Sequence, residues 1–273
     1  MTEEIQISAA SVIAMGAASA FGFLLPVALW IIWRKKTGAS WIPLIAGLVG
    51  FIFIGTMRGM CRAIFLSDTQ STPMLYYFMQ AVLAGVFEEG GKYLVMRFAI
   101  PNHDQYRDPV SYGIGHSAVE HYAVSGGGLM LYGFAVALFY RTGDMEALLP
   151  GGAGAFLMDG LDETGTLEVL RSVSENTVFS CIRGMLESIP VLHICCSVLV
   201  FTAVHYDRSP KWLLAAVGLH TLCDVIGAFY MAGHISHAEA NVLELLFDAG
   251  LIYLTWRVWQ HYRRDVKWDA EIC

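Results

Sequence analysis

The chain has 273 residues, 56% of them hydrophobic and only 15% charged, where a soluble protein carries about 25% charged and roughly 45–50% apolar residues. That imbalance excludes an ordinary soluble enzyme. A net charge of −7, with no basic patch and no interleaving of basic and aromatic residues, excludes nucleic acid as a partner.

Apolar residues fall in blocks of about 20, the length that crosses a hydrocarbon core of about 30 Å at 1.5 Å per residue. The expected fold is an all-α polytopic membrane helix bundle, one integral membrane domain over 1–273, sited in the cell membrane. The opening Met1-Thr2-Glu3-Glu4 carries the wrong charge for a signal peptide, and the run 7–33 stops at Arg34-Lys35-Lys36. This reads as an uncleaved first span. Further runs follow at 41–66, 75–100, 110–125, 129–140, 189–206, 212–232 and 242–259, about eight crossings within a range of 7–9. Basic residues mark 34–36, 97–107, the Arg208/Lys211 turn and a tail with Arg257, Arg263, Arg264 and Lys267, which places all four on the cytoplasmic side. Three runs between 97–107 and 208–211 break the even count this requires. Either a short segment near 126–128 is re-entrant or fused with its neighbour, or another crossing lies in 150–187.

Segment 142–187 differs in kind, with eight acidic residues against Arg171 and Arg183. It reads as an acidic surface excursion with one or two amphipathic helices against the membrane. A solvated connector is the plain reading and a substrate-gating lid the other. The six cysteines (Cys61, Cys181, Cys195, Cys196, Cys223 and Cys273) show no CxxC spacing and mostly sit in apolar blocks, so they read as packing residues.

Ionisable groups within spans cost about 2.5–3.5 kcal/mol each on insertion scales, so they must face the bundle interior with partners. The third span carries Glu88-Glu89-Gly90-Gly91-Lys92 near mid-depth. Lys92 is within a turn of both carboxylates and can neutralise one, leaving the other as a general base on water. Gly90 and Gly91 leave room for a neighbouring helix or a substrate backbone. The fourth span places His116 and Glu120 one turn apart, and the seventh does the same with His220 and Asp224. This i, i+4 spacing lets two side chains converge on one metal or one reacting carbonyl. His193 stands three residues after Pro190, which marks its helix start. His121 points away from Glu120 and reads as peripheral, while His103, His205, His234, His237 and His261 lie near span ends. Arg58 and Arg62 on the second span read as ion-pair glue, balancing Glu89, or as binders of a substrate carboxylate or headgroup. Gly55-x-x-x-Gly59 is a small-residue helix contact. Neither Gly-x-Ser-x-Gly nor His-Glu-x-x-His is present, which argues against serine hydrolases and zincins.

The ordered set Glu88-Glu89-x-x-Lys92, His116-x-x-x-Glu120, His193 and His220-x-x-x-Asp224 resembles the YhfC-like intramembrane peptidases, relatives of the PrsW proteases and type II CAAX prenyl endopeptidases. The resemblance runs over roughly 75–230. It implies that Glu88 and His116 activate water while His220 and Asp224 stabilise the oxyanion, with Glu89 completing the paired carboxylates. Asp224 replaces the asparagine of the prenyl peptidases, and a carboxylate can serve an oxyanion only if protonated or metal-bound. The resemblance leaves a metal-dependent and a glutamate-dependent chemistry both open. For the former, His116, His193 and His220 form a three-nitrogen set for a divalent metal such as zinc, with Glu88 as base.

The expected activity is hydrolysis of a peptide bond in or near the bilayer, on a membrane-associated peptide or protein substrate. The alternative is a carrier or proton- or cation-coupled transporter using the same buried groups, although no duplicated half-sequence is visible. A membrane anchor or immunity-like binding protein is a third class. The peptidase reading requires the glutamates and histidines to converge on one pocket.

Overall fold

The computed structural model of the chain describes residues 8–67, 72–123, 134–135, 137–138, 141 and 189–263. All regular structure among them is helical: α1 (Ala9–Thr37), α2 (Trp41–Phe65), α3 (Pro73–Leu94), α4 (Asp108–Ala123), α5 (Ile189–Phe201), α6 (Pro210–Met231) and α7 (His237–Arg263). α3 runs on into a π-helical turn at Val95–Ala99, and α5 into another at Thr202–Tyr206. The expected run at 129–140 and the acidic excursion at 142–187 lie almost wholly outside the described residues.

Helix ends follow the local chemistry. Ser40 caps α2 by accepting from the Ile42 amide, and Ser209 caps α6 by accepting from the Lys211 amide. Proline fills the first position of α3 and α6, where its missing N–H would be unpaired anyway. α1 stops at Gly38, whose φ of 64° lies in the left-handed region that glycine adopts freely.

Among the described residues, three helices are long and apolar enough to cross a membrane: α1, α2 and α6, with 29, 25 and 22 residues. The others are shorter or more polar, and α3 carries three charged residues in its last two turns. With its apolar helices, the chain is an integral membrane protein.

The chain divides into two compact units, one from the described parts of 1–27 and 120–187, the other from 28–119 and 188–273. In the first, the Tyr122 hydroxyl donates to the Phe23 carbonyl at 2.9 Å and the two rings stack. Glu120 and His121 belong to this unit. His121 is fully buried, and so not peripheral in the sense of exposed.

The second unit holds the larger core, where Met96, Tyr112, Leu199 and Leu251 pack with no more than 2% exposure. Its helices approach closely at several glycines, Gly47 of α2 among them, where a Cβ would stand 2.2 Å from the Tyr112 carbonyl oxygen of α4. A Cβ on Gly115 of α4 would stand 2.0 Å from the Leu44 carbonyl oxygen of α2, one on Gly113 2.6 Å from Ile194 Cα of α5, and one on Gly85 of α3 2.8 Å from the Val217 carbonyl oxygen of α6. Backbone atoms cannot yield as side-chain tips can, so these crossings require glycine. The expected contact at Gly55 and Gly59 is not seen among the described residues: Gly59 faces open space and Gly55 meets only Phe51 of its own helix.

One end of this unit gathers the basic segments. Trp33 Nε1 donates to the Arg107 carbonyl, Arg107 donates to the Thr37 carbonyl, and Trp259 meets both Trp33 and Tyr106 ring to ring. Tyr262 donates to Asp207 at 2.9 Å. Segments 34–36, 97–107, 208–211 and the end of α7 therefore share one end, as the charge pattern anticipates. α4 runs away from that end and α5 runs back toward it.

Candidate active site

Four helices of the second unit deliver side chains to one buried point. α3 gives Glu88, Glu89 and Lys92, α4 gives His116, α5 gives His193 and α6 gives His220, all with 0–2% exposure. Counted at 1.5 Å per residue, these positions lie roughly 12–20 Å from the basic end.

Glu88 is the hub. Its Oε2 stands 3.1 Å from His116 Nε2 and 3.9 Å from the Nε2 of both His193 and His220. Its Oε1 pairs with the Arg58 guanidinium from α2. Glu89 turns the other way: its Oε1 accepts from Lys92 Nζ at 2.6 Å and meets His220 Nδ1 at 2.7 Å. Lys92 Nζ also reaches His193 Nδ1 at 3.0 Å. The imidazoles form a row, His116 to His193 at 4.6 Å and His193 to His220 at 5.3 Å between centroids. Phe51 meets His116 edge-on and Tyr112 stacks beside it.

Neither carboxylate is left as an isolated charge. Glu88 has Arg58 and Glu89 has Lys92, so two anions face two cations, the arrangement that buried charges need. This corrects the assignment of Arg58 as the counter-charge of Glu89. Arg58 is a member of the cluster that spacing within one helix could not reveal, because the pairing runs between helices. Tyr112 was also missed, although it stands one turn before His116.

Two of these groups face outward. The Arg58 side chain is 27% exposed and Asp224 35%, with Asp224 Oδ2 3.7 Å from His220 Nε2. Beside Arg58, between α2 and α3, lies an apolar groove of about 470 Å³ whose lining includes Phe53, Met57, Phe87 and Gly90. Gly91 admits Ile54 of α2, whose Cδ1 would stand 2.2 Å from an added Cβ, whereas Gly90 opens onto the groove with nothing within 4 Å. Glu120, expected to act with His116, is placed in the first unit.

The donor chemistry suits a metal. Donor atoms of Glu88, His116 and His193 all lie within 4.8 Å of one another, and so do those of Glu89, His193 and His220. Ligand atoms at about 2.0–2.2 Å from tetrahedral zinc stand roughly 3.4 Å apart, so modest closure would bring either set onto one ion. Two buried atoms, Glu89 Oε2 and His116 Nδ1, have no hydrogen-bond partner among the described residues. Among the described cysteines, Cys195, Cys196 and Cys223 are buried and unbridged, as packing residues should be.

Together these features define a helical membrane protein with a buried glutamate–histidine centre. The profile of the YhfC intramembrane metalloproteases matches residues 21–246; the chain belongs to this family. It is 29% identical over 260 residues to the "Uncharacterized membrane protein YhfC" of Bacillus subtilis (strain 168), covering 90% of this chain and 96% of that protein. No solved structure matches.

Proposed function

We propose that this protein is a multi-pass intramembrane peptidase, a single membrane domain of the cell membrane that hydrolyses a peptide bond of a membrane-associated peptide or protein. The observation that carries this reading is the position of Glu88 Oε2, which faces Nε2 atoms from three other helices at 3.1–3.9 Å in a fully buried pocket. A carboxylate among imidazoles can take a proton from water and pass it to a leaving amine. Arg58 fixes one Glu88 oxygen and leaves the other turned toward the histidines. Glu89 orients His220, and Asp224 stands at the exposed edge beyond it. The helices other than α1, α2 and α6 also cross the membrane on this reading, with Glu88, Glu89 and Lys92 of α3, His116 of α4 and His193 of α5 turned to the site.

A divalent metal such as zinc would be held by Glu88 or Glu89 together with histidines drawn from His116, His193 and His220. Bound there, it supplies Lewis acidity to the same centre. The groove between α2 and α3 is the side entrance for substrate, apolar enough for a segment arriving from lipid and floored by Gly90 next to Glu89.

Proteomic comparison of membranes expressing wild type and Glu88→Gln tests the reading. A fragment of a membrane protein present with wild type and absent with the variant is expected. Unchanged fragments, together with a solute flux lost in Glu88→Gln, would replace the peptidase with a carrier.

A further inference from the structure

The two histidines that flank Glu88 are backed by groups of opposite polarity. His220 Nδ1 lies 2.7 Å from a carboxylate oxygen of Glu89, so that nitrogen is the donor. His193 Nδ1 lies 3.0 Å from Lys92 Nζ. An ammonium has three donors and no acceptor, and Lys92 is held as an ammonium by its 2.6 Å bond to Glu89 in a site with no exposure. His193 Nδ1 must therefore accept. A neutral imidazole carries one proton, so the proton of His193 sits on Nε2, the nitrogen that faces Glu88 Oε2 at 3.9 Å.

We propose that Lys92 locks His193 in the Nε2–H form, which makes His193 the hydrogen-bond donor of the centre and Lys92 a positioning residue acting through it. Histidines that bind metals commonly have the reverse wiring, with the second nitrogen donating to a carboxylate or carbonyl. His220 has that wiring and His193 does not. A protonated Nε2 has no lone pair for a metal, but it can donate to an oxygen on which negative charge gathers. Within the peptidase reading, on which this role rests, His193 Nε2–H is aimed at the space beside Glu88 Oε2, where the carbonyl oxygen of a scissile bond would gain charge. The centre thus divides its work: Glu88 receives the proton of water and His193 steadies the oxygen. Both candidate metal groups include His193, so each loses that ligand.

Nitrogen-15 spectroscopy of histidine-labelled full-length protein in lipid tests the tautomer without any substrate. The ring in through-space contact with a lysine Nζ identifies His193 and needs no substitution. The expected pattern is an unprotonated Nδ1 and a protonated Nε2. A proton on Nδ1, or on both nitrogens, overturns the proposal. In the charge-conserving double variant Glu89→Gln/Lys92→Met, His193 should relax to a mixture of tautomers, and an unchanged pattern there would remove Lys92 from its positioning role. If wild-type membranes yield no fragment that depends on Glu88 while the tautomer is as expected, the peptidase reading alone is overturned.

Discussion

Two lysine–carboxylate pairs in this protein have nearly the same length and opposite settings. Lys92 meets Glu89 at 2.6 Å with neither side chain exposed, while Lys211 meets Asp207 at 2.5 Å with side-chain exposures of 59% and 24%. Both follow one helical turn of sequence, i, i+3 and i, i+4. The outer pair is solvated, joins a small network with Trp212 and Tyr262, and trims one end of the bundle. The inner pair has no water to fall back on, so each partner exists as a charge only because the other does. Distance does not tell a structural ion pair from a functional one here; what surrounds the pair does.

Breaking the inner pair should have the largest effect on stability. Lys92→Met leaves Glu89 buried without its counter-charge, and such losses cost about 3–5 kcal/mol. Thermal unfolding in detergent should show a large drop, and most of it should return in Glu89→Gln/Lys92→Met. If the single variant is as stable as wild type, the two regions do not differ in the way described.

A smaller loss is expected where the helices cross. Gly115→Ala forces a methyl group against the Leu44 carbonyl, and overpacking of this kind costs about 1–3 kcal/mol. The same thermal measurement should rank it below Lys92→Met. Gly90→Ala, which faces open space inside α3, should not lower the midpoint and should raise it slightly, because alanine favours a helix over glycine by about 0.5–1 kcal/mol, and so serves as the control.

The outer pair should respond least. The bond from Lys211, followed by that from Tyr262, holds the Asp207 carboxyl below its usual range. A depressed carboxylate contributes stability above its unfolded value and loses it only as pH falls through the folded one. The midpoint of wild type minus that of Lys211→Ala should therefore stay small and constant from roughly pH 8 to 5, above the aspartate range, and shrink only in stronger acid. A difference that changes near neutral pH would show a different group in control.

Much of this layout was legible in the chain. Glu88, Glu89 and Lys92, and the i, i+4 pair His220 and Asp224, announce charged faces on apolar helices, and a charge in lipid has few options but to turn inward. Their convergence could be required but not located. The pairing of Arg58 with Glu88, and of Lys92 with His193, depends on how α2, α3 and α5 rotate against one another, which no spacing along one helix records. Tyr112 looked like an ordinary apolar-block residue because its role comes from stacking on the next turn. The number of crossings was not legible for a related reason: runs such as 129–140 are too short and glycine-flanked in the sequence for length alone to say whether they traverse.

The backbone contact between Gly115 and Leu44 has a consequence for the membrane itself. His116 follows Gly115 directly, so its height along α4 is set by a carbonyl of α2 and has no slack to adjust. α2 in turn begins at the aromatic, basic end, where residues of this kind anchor to headgroups. The glutamate–histidine centre therefore keeps a fixed height above the end of the bundle where α2 begins. On the proposed peptidase reading, lipids with longer or shorter tails would slide a guest helix past it and select a different bond, instead of shifting the centre to follow.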